Sequence, residues 1–584
     1  MSRINLIYKN LLFLITRNNL LSSLIIVLTV LASFADLLSI TMAFPVIQAI
    51  LYNGENILFS NYLTFFNNYD PDLKIKLILI IFVGVLIFKN LILIFKSFLT
   101  LEYEYKLINS FASRISKKII FSEHKEFSKM DNNQIFNLLN KEIKISIRCV
   151  RAFFNFLTDI LFLIITVIFA IFFSKYILIV LISIFTFLIP PIVYYLYKYS
   201  LSNSSARLKI SDSLSKDYRN LLDGLKVIKI FNLSNIFMTN LNQSLEKNKK
   251  VHRNFLFLTE NLRTFFEIIL AIFLFTIVLL YLSKYDGEKL LLSIPFFSTL
   301  FILILKVVTT AIKVIKNGMY VINLSSSTNR LIDIYKNINQ KDQILINRSD
   351  QISKKKFERN IKFKNLSFSY DDKNLIFNNI NFNINKSDKI IISGPSGSGK
   401  STLVELLTGL NLPNSGKILI DDIDLSNCNK KDWLNAIGFV GQKNTLFNKS
   451  IKENILDGCQ NASNEMYKKA LKISRTYDFL IENKISDEEV ITQGQENFSG
   501  GQLKRISIAR ALVKNPMILI LDEATNEFDE LLEKKIISDI IKYYQNITII
   551  FISHNLDNKK FCNRSLIIKN QNLNEEKDES LLSD

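Results

Sequence analysis

Over the first 325 positions apolar residues come in long unbroken runs; beyond them the runs are short and many alternate with polar residues. An apolar run of about 20 residues spans the roughly 30 Å hydrocarbon core of a bilayer. Six such runs predict membrane helices, at about 20–50, 75–99, 152–174, 176–197, 262–283 and 290–315. Pro45, Pro190, Pro191 and Pro295 fall in or beside them, as membrane helices tolerate. The first run is too long for a signal peptide, and no small-residue cleavage motif follows it. The segments between runs alternate long and short. The long ones, about 100–150 and 198–255, space their apolar residues three and four apart. They therefore predict membrane helices that continue into the cytoplasm and turn near Lys129–Gln134 and Leu221–Lys226.

The distribution of charge orients this half. Residues 51–74 hold one base, Lys74, whereas 101–150 hold Lys106, Arg114, Lys117, Lys118, Lys125, Lys129, Lys141, Lys144 and Arg148. Basic loops stay on the cytoplasmic side, so the amino terminus and both long loops face inward. Much of the net charge of +19 is then a topology signal. It is not a nucleic-acid footprint, and no nucleic-acid partner is expected. At 49% hydrophobic residues the chain is not disordered. Cys149, Cys428, Cys459 and Cys562 are scattered without a CxxC pair, and His124, His252 and His554 lie far apart. That excludes a disulfide scaffold and a local zinc motif.

A polar linker, 326–355, separates the membrane domain, 1–325, from a second domain, 356–584. Here DKIIIS predicts a buried strand and LVELLTGL a helix, with Gly394-Pro-Ser-Gly397-Ser-Gly399-Lys400-Ser401-Thr402 between them. This is the phosphate-loop pattern GxxxxGK[ST] in its strand–loop–helix setting. The glycines let backbone N–H groups surround phosphates, and the helix N-terminus adds positive potential. Lys400 is expected on the β- and γ-phosphates and the Ser401 hydroxyl on Mg²⁺. A second apolar strand ends in Asp522-Glu523, placing a metal-binding carboxylate and a candidate general base at a sheet edge. A third, ITIIFIS, ends in His554, a candidate for orienting the attacking water. Ser499-Gly500-Gly501-Gln502 opens a helix and forms a second anion-binding device, fit to close on a nucleotide held by another copy.

With Val440-Gly-Gln442 between the first loop and SGGQ, the whole order resembles an ABC exporter half-transporter. The resemblance implies a helical six-span transmembrane domain fused to an α/β P-loop ATPase domain. It also implies ATP and Mg²⁺ as cofactors and a homodimer in the bacterial inner membrane, with the nucleotide domain in the cytoplasm. Tyr370 matches the aromatic that stacks on adenine, Gln442 the residue that contacts Mg²⁺, and Asp529 the end of the D-loop. The tips of the two long loops resemble coupling helices. Phe498 stands where Leu is usual, Asn526-Glu527-Phe528 where Ser-Ala-Leu is usual, and Asn555 where Arg is common. None of these removes a group needed for hydrolysis, so an active ATPase is expected. The D-loop departure bears on coupling across the dimer and leaves a heterodimer open.

Charges inside membrane spans mark functional candidates. Lys89 and Lys96 share one helical face, as do Lys306 and Lys313, and Arg263 begins the fifth span. All five sit at inner-leaflet depth, fit to line a cavity that attracts an anionic head group or to snorkel to the interface. Asp36 and Asp159 are candidate partners. The aromatic stretch NYLTFFNNYD in the first outer loop suits an external interfacial helix. This loop and the GLNLPNSGKILIDDIDL run resemble the lipid-linked oligosaccharide flippases. The expected function is therefore ATP-driven flipping or export of an anionic or glycan-bearing lipid. A peptide or drug exporter is the alternative, and a nucleotide-gated channel or regulator is the reading from another class.

Overall fold

The computed structural model describes residues 2–15, 19–51, 71–122, 124–125, 131–173, 189–282, 287–337, 357–371, 374–492, 498–523, 528–553 and 556–576. It divides into two compact units: Met1–Ile119 with Met130–Ile338, and Ile120–Lys129 with Asn339–Asp584.

The first unit is helical: α1 (Ser2–Ile15), α2 (Asn19–Leu51), α3 (Pro71–Ile120), α4 (Asn132–Asn137), α5 (Ile143–Phe173), α6 (Ile189–Asp223), α7 (Leu225–Ile230), α8 (Ser234–Leu282) and α9 (Gly287–Asn337). Among the described residues three stretches are long and apolar enough to cross a membrane: Leu20–Ser39, Ile75–Ile120 and Gln134–Ile168. Helices α8 and α9 run through the fifth and sixth apolar runs. Most of the fourth run, 174–188, and the expected outer helix within 52–70 lie outside the described residues. At 1.5 Å per residue the 50 residues of α3 extend about 75 Å, more than twice a bilayer core. Its Ile80, Phe88, Leu91, Ile94 and Phe98 are exposed, a continuous apolar surface of the kind lipid covers.

Polar residues join the carboxyl-terminal parts of α6 and α9. Asn203 donates to Asn323 (3.1 Å), Ser204 to Ser326 (2.7 Å), Arg207 to Ser327 (2.6 Å), and Arg330 pairs with Asp212 (2.9 Å). This corrects the expected linker. Residues 326–337 continue α9, and the run SSST is polar because it faces a polar helix, with Ser325, Ser327 and Thr328 buried. At the first loop α3 stops at Ile120 and Asn132–Gln134 already lie in α4, while Lys129 and Met130 of the expected tip lie outside the described residues. At the second loop, Gly224 separates α6 from the short α7, within the expected turn.

The second unit carries two sheets. Strands β1 (Asn360–Ser369), β2 (Leu375–Asn385), β4 (Ser415–Ile420) and β5 (Ile423–Asp424) form an antiparallel sheet in the order β2-β1-β4-β5. Strands β3 (Lys389–Ser393), β6 (Ile437–Val440), β7 (Ile518–Asp522), β8 (Thr548–Ile552), β9 (Arg564–Lys569) and β10 (Asn572–Glu576) form the larger sheet, ordered β10-β9-β3-β8-β7-β6. It is parallel except for β10. Strands β3, β7 and β8 read as continuous apolar runs because both faces are buried. Helices α10 (Lys400–Leu407), α11 (Lys430–Ala436), α12 (Ile451–Leu456), α13 (Asn464–Ile473), α14 (Thr476–Glu482), α15 (Gly500–Leu512) and α16 (Glu530–Tyr543) complete the unit. Two apolar cores result. One lies between the sheets and α10; the other gathers α12 to α16 against the far face of the parallel sheet.

Candidate functional site

Strand register places the chemistry. Ile392 pairs with Ile552, and Ile552 with Asp522, so β3, β7 and β8 end level with one another. Ligands of parallel α/β sheets bind beyond such carboxyl ends. The phosphate loop leaves β3 there, Asp522 and Glu523 leave β7, and Ser553 leaves β8. His554 follows immediately but lies outside the described residues, as do Asn526, Glu527 and Asn555.

The loop closes because its glycines take conformations other residues resist. Gly399 has φ +104°, and a Cβ there would meet the Ile376 side chain at 2.6 Å. Lys400 folds back to donate to the carbonyls of Gly394 (2.8 Å) and Pro395 (3.1 Å). Burial lowers its pKa from the usual lysine value, with Glu523 and Asp522 opposing. Burial also raises the Asp522 carboxyl, aided by Glu523 and opposed by Lys504 and Lys400. Lys400 and Asp522 thus both feel the charge of Glu523 across the site. Glu523 sits at φ +48°, a strained backbone for a non-glycine residue of the kind that clusters at functional sites. Its Oε2 accepts from Gln442 Nε2 at 2.7 Å, which joins the expected base to the glutamine loop.

Lys504 was not legible as a site residue. It is fully buried on α15 and donates to the carbonyls of Gly441 (3.0 Å) and Gln442 (2.9 Å). It therefore fixes the backbone that carries Gln442. Ser499 caps α15 in a reciprocal box with Gln502: its hydroxyl accepts from Gln502 N (3.3 Å), and Gln502 Oε1 accepts from Ser499 N (2.9 Å). Gly500 and Gly501 form the first turn. Phe498, the departure in this signature, is 8% exposed and packs in the α12–α16 core. Phe498→Leu is expected to cost less than about 1.5 kcal/mol and to preserve turnover, as thermal unfolding and phosphate release will check. Asp529 precedes α16 as its N-cap residue.

Tyr370 follows β1. Its hydroxyl donates to Glu405 on α10 and lies 3.3 Å from the Thr402 hydroxyl. Ser401, Asp522 and Gln442 offer a hydroxyl, a carboxylate and an amide oxygen, the hard donors that suit Mg²⁺. Among the described residues no group of three or more His, Cys, Asp and Glu is placed to hold a metal ion.

In the membrane unit three of the sequence-predicted lysines, Lys89, Lys96 and Lys306, have polar partners. Lys89 on α3 and Lys306 on α9 (3.3 Å) both pair with Asp36 on α2, and Lys306 lies over the Phe162 ring at 5.1 Å. Lys96 is buried and donates to Thr158 at 2.5 Å. Asp159 accepts from Asn317 at 2.6 Å. Arg263 pairs with Glu267 on its own exposed helical face (2.6 Å) and takes no part in the Asp36 cluster. Lys313 is exposed.

A P-loop, a carboxylate pair and a helix-capping SGGQ around one parallel-sheet edge define a nucleotide-binding domain of the P-loop class. Residues 377–526 match the family model described as ABC transporter. The chain thus joins an apolar helical region with candidate spans to an ABC-type α/β domain. The alpha-hemolysin translocation ATP-binding protein HlyB of Escherichia coli O157:H7 is 43% identical over 218 residues, 37% of this chain and 31% of that protein. The leukotoxin export ATP-binding protein LtxB of Aggregatibacter actinomycetemcomitans is 38% identical over 241 residues, 41% of this chain and 34% of that protein. The leukotoxin translocation ATP-binding protein LktB of Mannheimia glucosida is 40% identical over 221 residues, 38% and 31% of the two chains. The matches span about a third of the length of these relatives.

Proposed function

We propose that this chain is an ATP-driven exporter of the bacterial inner membrane that works as a homodimer. The observation that carries the reading is the Gln442–Glu523 contact beside the phosphate loop, at the level edge of β3, β7 and β8. ATP sits on Gly394–Thr402, and Lys400 exchanges its two loop carbonyls for phosphate oxygens. Ser401, Asp522 and Gln442 would hold Mg²⁺, which would supply charge neutralisation for the phosphates. Glu523 takes the proton of the attacking water, and His554 is assigned to orienting it. Ser499–Gln502 and Asp529 of the partner copy complete the site.

Polypeptide cargo is the first reading. The similar proteins are named for hemolysin translocation and leukotoxin export, and their likeness favours the peptide exporter over the flippase. A lipid-linked glycan or other anionic amphiphile is the second. It draws on the Asp36 cluster, where one carboxylate faces two ammonium groups, and on an apolar cavity of about 280 Å³ lined by Phe156, Leu163, Tyr197, Ile315 and Met319. The discriminating measurement is ATPase stimulation of the full chain in liposomes. Unfolded acidic and basic polypeptides should stimulate it, and lipid-linked sugars should not; the reverse pattern would restore the lipid reading.

A further inference from the structure

Beyond β1 the chain leaves the sheet, so no strand pairing fixes Tyr370. Its orientation comes from side-chain contacts. The phenol donates to Glu405 Oε2, and the ring meets Phe368 edge-on at 5.1 Å. Burial, and then the hydrogen bond that the Glu405 carboxylate accepts, push the Tyr370 pKa up to about 12, so the phenol remains the donor at neutral pH. Glu405 lies on α10, less than one turn past Thr402 and on the helix that the phosphate loop opens.

Glu405 is itself held. Asn411 Nδ2 donates to the same Oε2 at 2.7 Å, and His124 Nε2 lies 3.6 Å from Oε1. Segment Ile120–Lys129, which belongs to this unit, closes the set. Lys125 N donates to Asn411 Oδ1 (2.9 Å), and Lys125 Nζ donates to the carbonyl of Ser369 (2.7 Å), the residue before Tyr370. One carboxylate therefore ties the aromatic ring to the phosphate-holding helix, and a distant segment braces both ends of that tie.

We propose that Glu405 is a positioning residue for base recognition: it sets the Tyr370 ring at a fixed distance from the phosphate loop and so selects purine nucleoside triphosphates. The inference rests on Tyr370 as the adenine platform. A hydrogen bond to a charged acceptor is a strong one, and its loss is felt where the stacked ring must be held in register with bound phosphates. The phosphates themselves keep their loop, so chemistry at Glu523 is spared.

The test is steady-state ATPase of the full chain with ATP and, in parallel, UTP, whose smaller base has less ring to stack. Glu405→Ala is expected to raise KM for ATP about fivefold, with kcat within about twofold and a much smaller change in KM for UTP. Tyr370→Phe should shift KM in the same direction, and the double variant should be no worse than Glu405→Ala, because both changes remove the same Tyr370–Glu405 bond. Glu405→Gln, which keeps an acceptor, should recover most of the affinity. Equal KM increases for both nucleotides, additive effects in the double variant, or a fall in kcat at unchanged KM would each overturn the proposal. Should Glu405→Ala fold poorly, as thermal unfolding would reveal, Tyr370→Phe and Glu405→Gln carry the same comparison. A wild-type chain with no ATP hydrolysis would instead overturn the exporter reading, a separate outcome.

Discussion

Glu523→Gln is expected to lower ATP turnover at least about a hundredfold, measured as phosphate release, while nucleotide binding survives. The amide keeps the side chain's shape and can still meet Gln442, whose Nε2 now touches Glu523 Oε2. What it removes is the proton acceptor and one negative charge beside Asp522. That charge helps to raise the Asp522 carboxyl, so the variant should bind Mg-ATP at least as tightly as the native chain. The exporter reading requires transport to stop with turnover. Transport that continues in Glu523→Gln would favour gating by nucleotide binding alone.

Lys504→Met is expected to cost about 2–4 kcal/mol of stability in the nucleotide unit and to lower kcat about tenfold or more. The substitution keeps the volume of a fully buried side chain but leaves the carbonyls of Gly441 and Gln442 without their shared donor. Unsatisfied buried acceptors cost more than the mean value of a hydrogen bond. The turnover loss has a separate cause: once the glutamine-loop backbone is released, Gln442 no longer presents its amide to Glu523. Thermal unfolding separates the two effects. A lower midpoint with native kcat would mean that Lys504 only holds the fold.

The phosphate loop and the Asp522-Glu523 strand were readable because their physics is local. Glycines answer to backbone angle, and an unbroken apolar strand answers to burial on both faces. Phe498 looked like a departure from pattern; in place it is an ordinary core residue that the α12–α16 cluster accommodates. Lys504 and Glu405 were hidden for the opposite reason. In LKRISIAR and LVELL each reads as the charged face of an amphipathic helix, and only tertiary contacts turn them inward. The membrane lysines were found by composition, yet their pairing was not. Asp36 and Lys306 are 270 positions apart, and no periodicity links them. The SSST run after position 324 misled through polarity, since its hydroxyls face another helix instead of water.

Segment Ile120–Lys129 belongs to the nucleotide unit although more than 200 residues separate it from the rest of that unit in sequence. That unit is therefore discontinuous, and an excised fragment beginning near Phe357 would lack part of it. It would carry Asn411 and Glu405 without the backbone N–H of Lys125 and without the lysine that holds the Ser369 carbonyl. Under the proposed role of Tyr370, nucleotide affinities measured on such a fragment would be weaker than those of the full chain. Quantitative work on this protein calls for the uncut chain, or for the fragment supplied with a peptide spanning 120–129.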